Sequence, residues 1–99
     1  MTVIVLGLTR DAHAALTLVQ ALDFAGFGGE ELDATFGLAV QLIARGVPRQ
    51  EAAAYEEGVR RGGRLVCIRA DSENEGEEAV EIMDEHHALG RVYLPPPAA

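Results

Sequence analysis

A single cysteine, Cys67, stands in 99 residues. No internal disulfide can form, and one chain cannot build a thiolate metal cluster. Lysine is absent, and all 8 basic residues are arginines, which reads first as a bias of surface composition. Positive charge is scarce overall: 16 acids against 8 bases leave a net charge of −8. Nucleic acid is therefore not an expected partner, because binding a polyanion needs a dense basic face that releases counterions. Long apolar runs are missing as well. None approaches the ~20 residues that span a bilayer, and the opening MTVIVLGLTRDAH lacks the basic start and the length of a signal peptide. The expectation is a cytoplasmic chain without a membrane partner.

What is present suffices for one folded domain. Apolar residues make up 48% of the chain, and a chain of this length buries about 65% of its unfolded surface, enough for one core. The domain is expected over residues 1–94, followed by a Pro/Ala tail at 95–99.

The apolar, β-branched run Val3 to Leu8 reads as a first strand. Thr9 is placed as the N-cap of the next helix, with Asp11 in its first turn. That helix carries Ala12, Ala15, Leu16, Val19 and Leu22 as its buried stripe and stops at Ala25-Gly26-Phe27, where Gly26 takes a left-handed cap. Residues 31–35 alternate polar and apolar and read as a short second strand. A helix over 36–45 follows, with Phe36, Ala39, Val40 and Ile43 on one face and Leu38 and Leu42 toward another. Gly46 closes it, Pro48 suits the first turn of the next helix, and Ala52, Tyr55 and Val59 share a face there. Gly62 and Gly63 end that helix, and Arg64 to Ala70 is a third strand. The acidic stretch 71–85 overlaps a helix with Ala79, Ile82, Met83 and His86 on one side. Arg91 to Leu94 is the last strand, and Pro95-Pro96-Pro97 forbids its continuation.

The order is β-α-β-α-α-β-α-β. One helix between strands one and two keeps them parallel, and two helices before strand three reverse it. This parity fits an α+β fold with a ferredoxin-like split βαβ sheet of order 4-1-3-2 and a helical hairpin inserted at the middle connection. A small doubly wound sheet is the competing topology. Strands one and three are apolar on both faces, so the second sheet face needs a cover. Either the hairpin or another copy of the chain provides it.

Several of these segments together resemble one bacterial family. The opening strand, the Ala-rich helix closing at Ala25-Gly26-Phe27, Gly46-Val47-Pro48 with Tyr55 seven residues on, Gly62-Gly63, the LVCI strand and the helix with Glu78-Ala79, Ile82-Met83 and His86 are similar to the general stress protein, or heat-induced stress protein, domain. The resemblance covers nearly the whole chain, but its motifs are turns and core positions. It implies a stress-linked, non-catalytic role and brings no active-site residues with it. Relatives carry a Gly-rich apolar insert before the Gly-hydrophobic-Pro turn; this chain has a single helix there, which removes the reason to expect membrane contact.

The candidates for chemistry are few. Gly7-Leu8-Thr9-Arg10 leads into a helix N-terminus, so Thr9 and Arg10 are the candidate ligand-binding pair for a small anion, although no Gly-rich cradle accompanies them. His86 and His87 project about 100° apart on a helix. With His13 they lack a recognised ligand spacing, so neither metal nor cofactor is expected. Cys67 lies within an apolar strand and reads as inert. The 71–85 run holds eight acids and no base and reads as a solvated face. Tyr55 reads as a core anchor whose hydroxyl needs a partner. The leading expectation is a non-enzymatic, stress-associated domain acting by self-association or partner binding, with a homodimer interface at Leu38 and Leu42. An anion-sensing module at Thr9 and Arg10, and a small enzyme on a ferredoxin-like dimer, are the alternatives.

Overall fold

The computed structural model describes residues 2–32 and 37–94. Along the chain run β1 (Val3–Thr9), α1 (Ala12–Phe24), β2 (Gly29–Leu32), α2 (Leu38–Ala44), α3 (Arg49–Arg60), β3 (Arg64–Ala70), α4 (Glu73–Glu85) and β4 (Leu89–Tyr93). The fold is α+β. Its four strands form one sheet in the order β2-β3-β1-β4, and every neighbouring pair is antiparallel.

Alternation along β1 and β3 divides the apolar residues between two cores. Val3, Val5, Val66 and Ile68 point to one face, where Ala15, Leu18 and Leu22 of α1 and Ala79 and Met83 of α4 cover them. Leu6, Leu65 and Cys67 point to the other, under Leu38, Leu42, Val47 and Ala52 of the α2–α3 hairpin. The hairpin therefore covers the second face within one chain. Burying each Val, Leu, Ile or Met among them is worth about 1.5–3 kcal/mol, and neither core alone holds all of them.

The termini of the elements have identifiable causes. Gly26, Gly46 and Gly62 have φ of 93°, 103° and 107°, the left-handed backbone that closes α1, α2 and α3. After Gly26, the amide of Phe27 returns to the Leu22 carbonyl at 2.8 Å, and its ring packs against the first core. Ser72 caps α4, accepting from the Glu75 amide at 3.2 Å.

Six sequence expectations are corrected. Thr9 does not cap α1; Asp11 does, accepting from the Ala14 amide at 2.8 Å, because Thr9 is the last residue of β1 and its hydroxyl donates to the Arg64 carbonyl at 2.9 Å. The buried stripe of α1 is Ala15, Leu18 and Leu22, and Leu16 faces outward. On α2 the faces are exchanged: Leu38 and Leu42 are fully buried, while Val40 is 70% and Ile43 42% exposed. β2 begins at Gly29 and β4 at Leu89, earlier than the sequence pattern suggests. His86 is the C-cap of α4 and lies outside its buried stripe, and His87 follows with φ of 59°. The expectations for 33–36, Phe36 included, and for the tail at 95–99 fall outside the described residues.

Two adjacent glycines separate conformational from steric strain. A Cβ at Gly62 would meet nothing within 4 Å, so Gly62→Ala is expected to destabilise by about 1 kcal/mol through backbone strain alone. A Cβ at Gly63 would lie 2.8 Å from the Thr9 carbonyl oxygen and 2.9 Å from that of Gly58, so Gly63→Ala is expected to lose more. Urea unfolding of the two variants checks the order, and equal losses would contradict this account.

Candidate functional site

Glu51 and Tyr55 are four residues apart on α3 and so share one face of the helix. Arg91 and Tyr93 are two apart on β4 and so share one face of the sheet. The hairpin brings the pairs together. The Tyr93 hydroxyl donates to Glu51 Oε1 at 2.8 Å, and Arg91 Nη1 reaches the same oxygen at 2.7 Å. The two phenol oxygens lie 2.8 Å apart. The tyrosine rings meet edge to face, centroids 6.3 Å apart at 76°, and the Arg91 guanidinium stands 5.7 Å from the centre of the Tyr93 ring, within reach of a cation–π attraction.

These four residues edge a groove of about 300 Å³ whose walls are Leu8, Ala54, Leu89 and Gly90. Apolar walls with a few converging polar groups are the usual make-up of a ligand site. Two further concavities lie around Gly28 and Arg69, toward the β2–β3 edge of the sheet.

Burial favours the neutral form of both phenols. It raises the pKa of Tyr55 above the ordinary phenol value, opposed by its hydrogen bond with Tyr93. Burial, with the hydrogen bonds to Tyr55 and Glu51, pushes Tyr93 far above it. Both groups are phenols, not phenolates, at neutral pH. Cys67 is a thiol for the same reason: burial raises its pKa, opposed by Arg45, whose Nη1 is 4.0 Å from the sulfur.

The residues singled out from sequence fare differently. Thr9 is 3% exposed, with its hydroxyl turned into the sheet end, whereas Arg10 is at the surface, 4.0 Å from Asp11. The structure does not bring them together around an anion, because the Asp11 carboxylate already occupies the start of α1. Leu38 and Leu42 lie in the second core. Among the described residues, no three His, Cys, Asp or Glu side chains gather into a metal-holding group, and no helix is long and apolar enough to cross a membrane. Sequence reasoning reached Tyr55 and missed Glu51, Arg91 and Tyr93. The available signal was a helical i, i+4 pair of Glu and Tyr matched by a strand i, i+2 pair of Arg and Tyr.

No family model matches this chain, and no curated protein or solved structure matches it either.

Tyr93→Phe is expected to destabilise by about 1–2 kcal/mol, since Glu51 loses a donor and Tyr55 its acceptor. The raised tyrosine pKa values fix the pH dependence. Their contribution is complete below the unfolded value near pH 10 and is lost as pH rises through the folded values, because the unfolded chain ionises first. The stability gap between the native chain and Tyr93→Phe should narrow above about pH 10, as measured by urea unfolding at stepped pH. A gap that widens there would contradict the assignment.

Proposed function

We propose that the chain is a non-enzymatic, stress-associated domain of ferredoxin-like architecture, with α2 and α3 as its inserted hairpin, and that it acts by self-association through the outer face of α2. The observation that carries this reading is the exposure of Val40 and Ile43 on a helix, LAVQLIA, that has no charged residue in a chain of net charge −8. An uncharged apolar surface on so acidic a chain is the kind of patch that pairing covers. A closed two-fold dimer is the commonest way to cover it. Supporting the non-catalytic part is the burial of the Cys67 thiol, which is 3% exposed. The link to stress rests on the resemblance of turns and core positions to the general stress protein domain.

Sedimentation equilibrium across micromolar concentrations tests the reading. The native chain is expected to shift from one to two monomer masses as concentration rises. The double variant Val40→Glu with Ile43→Glu should remain monomeric with an unfolding midpoint near the native one, since both side chains face outward. Leu38→Glu should instead unfold the domain, because a buried carboxylate there has no partner. A native chain that is monomeric throughout, or a double variant that still pairs, would overturn the proposal.

A further inference from the structure

The groove between α3 and β4 carries a hydrogen-bond chain of fixed direction. Tyr93 has one hydroxyl proton and gives it to Glu51 Oε1 at 2.8 Å. In the 2.8 Å contact between the phenols, Tyr55 must then be the donor. The Tyr55 oxygen thus keeps its remaining acceptor capacity, with no donor to it among the described residues, at a point where its residue lines the groove. At the other end Arg91 gives Nη1 to Glu51. Its remaining N–H groups have no partner among the described residues, and its side chain is 64% exposed. The groove therefore presents one open acceptor and open donors. Glu51 and Arg91 cancel in charge, so no surplus of either sign attracts an ion.

Between these polar ends the walls are Leu8, Ala54 and Leu89, and Leu89 is 78% exposed. A strut joining α3 to β4 explains the polar network but not an apolar hollow beside it with a leucine left in water. The volume, about 300 Å³, lies at the lower limit for small-molecule sites and suits a single ring with one polar substituent.

We propose that this groove is a binding site for a small, planar, uncharged molecule with an apolar ring and a group that both donates and accepts hydrogen bonds, of which an aromatic carboxamide is the simplest. The ring lies on Leu8, Ala54 and Leu89, the carbonyl accepts from Arg91, and the N–H donates to the Tyr55 oxygen. A carboxylate of the same size has no proton for Tyr55 and is the weaker ligand. The site is independent of the self-association reading, since Val40 and Ile43 take no part in it.

The test is titration of the full chain, uniformly labelled with nitrogen-15, with benzamide and separately with benzoate, followed by amide chemical shifts. Benzamide should give saturable shifts concentrated at residues 51–55 and 89–93, with benzoate binding more weakly. Tyr55→Phe should weaken benzamide binding by about fivefold, as expected for one lost hydrogen bond. Leu89→Asp is the second variant: an outward position that leaves the fold intact whatever Tyr55→Phe does to stability, and it should also weaken binding severalfold. Repeating the titration on the Val40→Glu, Ile43→Glu chain should give the same affinity, so failure of self-association does not touch this result. Absent or non-saturating shifts at millimolar benzamide, shifts centred elsewhere, benzoate binding as tightly as benzamide, or unchanged affinity in Leu89→Asp would each overturn the proposal.

Discussion

Seven residues of β1 lie opposite seven of β3, from Val3 against Ala70 to Thr9 against Arg64. That register decides which side chain enters which core. A shift by one residue would turn Val3, Val5, Val66 and Ile68 toward the hairpin and Leu6, Leu65 and Cys67 toward α1 and α4. Both covers are shaped for what they receive. Gly7 faces α4 because Met83 fills the space a Cβ would need, with its sulfur 2.7 Å from that position. Gly90, opposite Gly7 in the β1–β4 register, gives way to the same methionine, whose Cβ is 2.9 Å from where its own would be. The long Met83 side chain thus lies across two glycines on neighbouring strands. This close approach fixes α4 over that part of the sheet.

The second cover is held by polar contacts at its margins. Gly37 offers α2 no side-chain cap; instead Glu56 of α3 accepts from the Ala39 amide at 3.0 Å, so the start of α2 is capped from α3. At the far margin the chain Tyr55 to Tyr93 to Glu51, with Arg91, ties α3 to the edge strand β4. Hydrogen bonds in a partly desolvated place are more sensitive to geometry than apolar contacts. The groove lies beside these contacts, between α3 and the end of β4.

Where local sterics decide, the sequence was a sufficient guide. Gly26, Gly46 and Gly62 follow periodic segments and have the left-handed backbone expected of them. The apolar run of β3 is bounded at Arg64 and Ala70 as its composition suggests. Where several faces of a helix are apolar, the pattern could not choose among them. In AHAALTLVQALDF the stripes through Leu16 and through Leu18 are both apolar, and packing takes Leu18. In LAVQLIA only Gln41 is polar, so seven residues cannot define a face, and Leu38 and Leu42 go inward. The candidate site was half legible. Tyr55 needed a partner for its hydroxyl, but its partner is 38 residues away in sequence, and only the docking of α3 on β4 identifies it. The Ser72 cap of α4 has its signal in Ser72-x-x-Glu75, inside an acidic run that otherwise reads as a solvated face.

Charge is placed unevenly over the two layers that cover the sheet. Glu73, Glu75, Glu77, Glu78, Glu81, Asp84 and Glu85 are all exposed on α4, so two copies approaching through that helix would set like charges against each other. The free edge of β2 carries Glu30 and Glu31 in four residues, which discourages strand-to-strand pairing in the same way. Phe24, 96% exposed at the end of α1, is apolar but lies on the side of the sheet that α1 shares with α4. The outer face of α2 is different. It belongs to the opposite layer, is uncharged, and is followed by arginines at 45 and 49. Repulsion elsewhere and the absence of charge here act in the same direction, so the chain's acidity limits contact on one layer and leaves α2 open on the other.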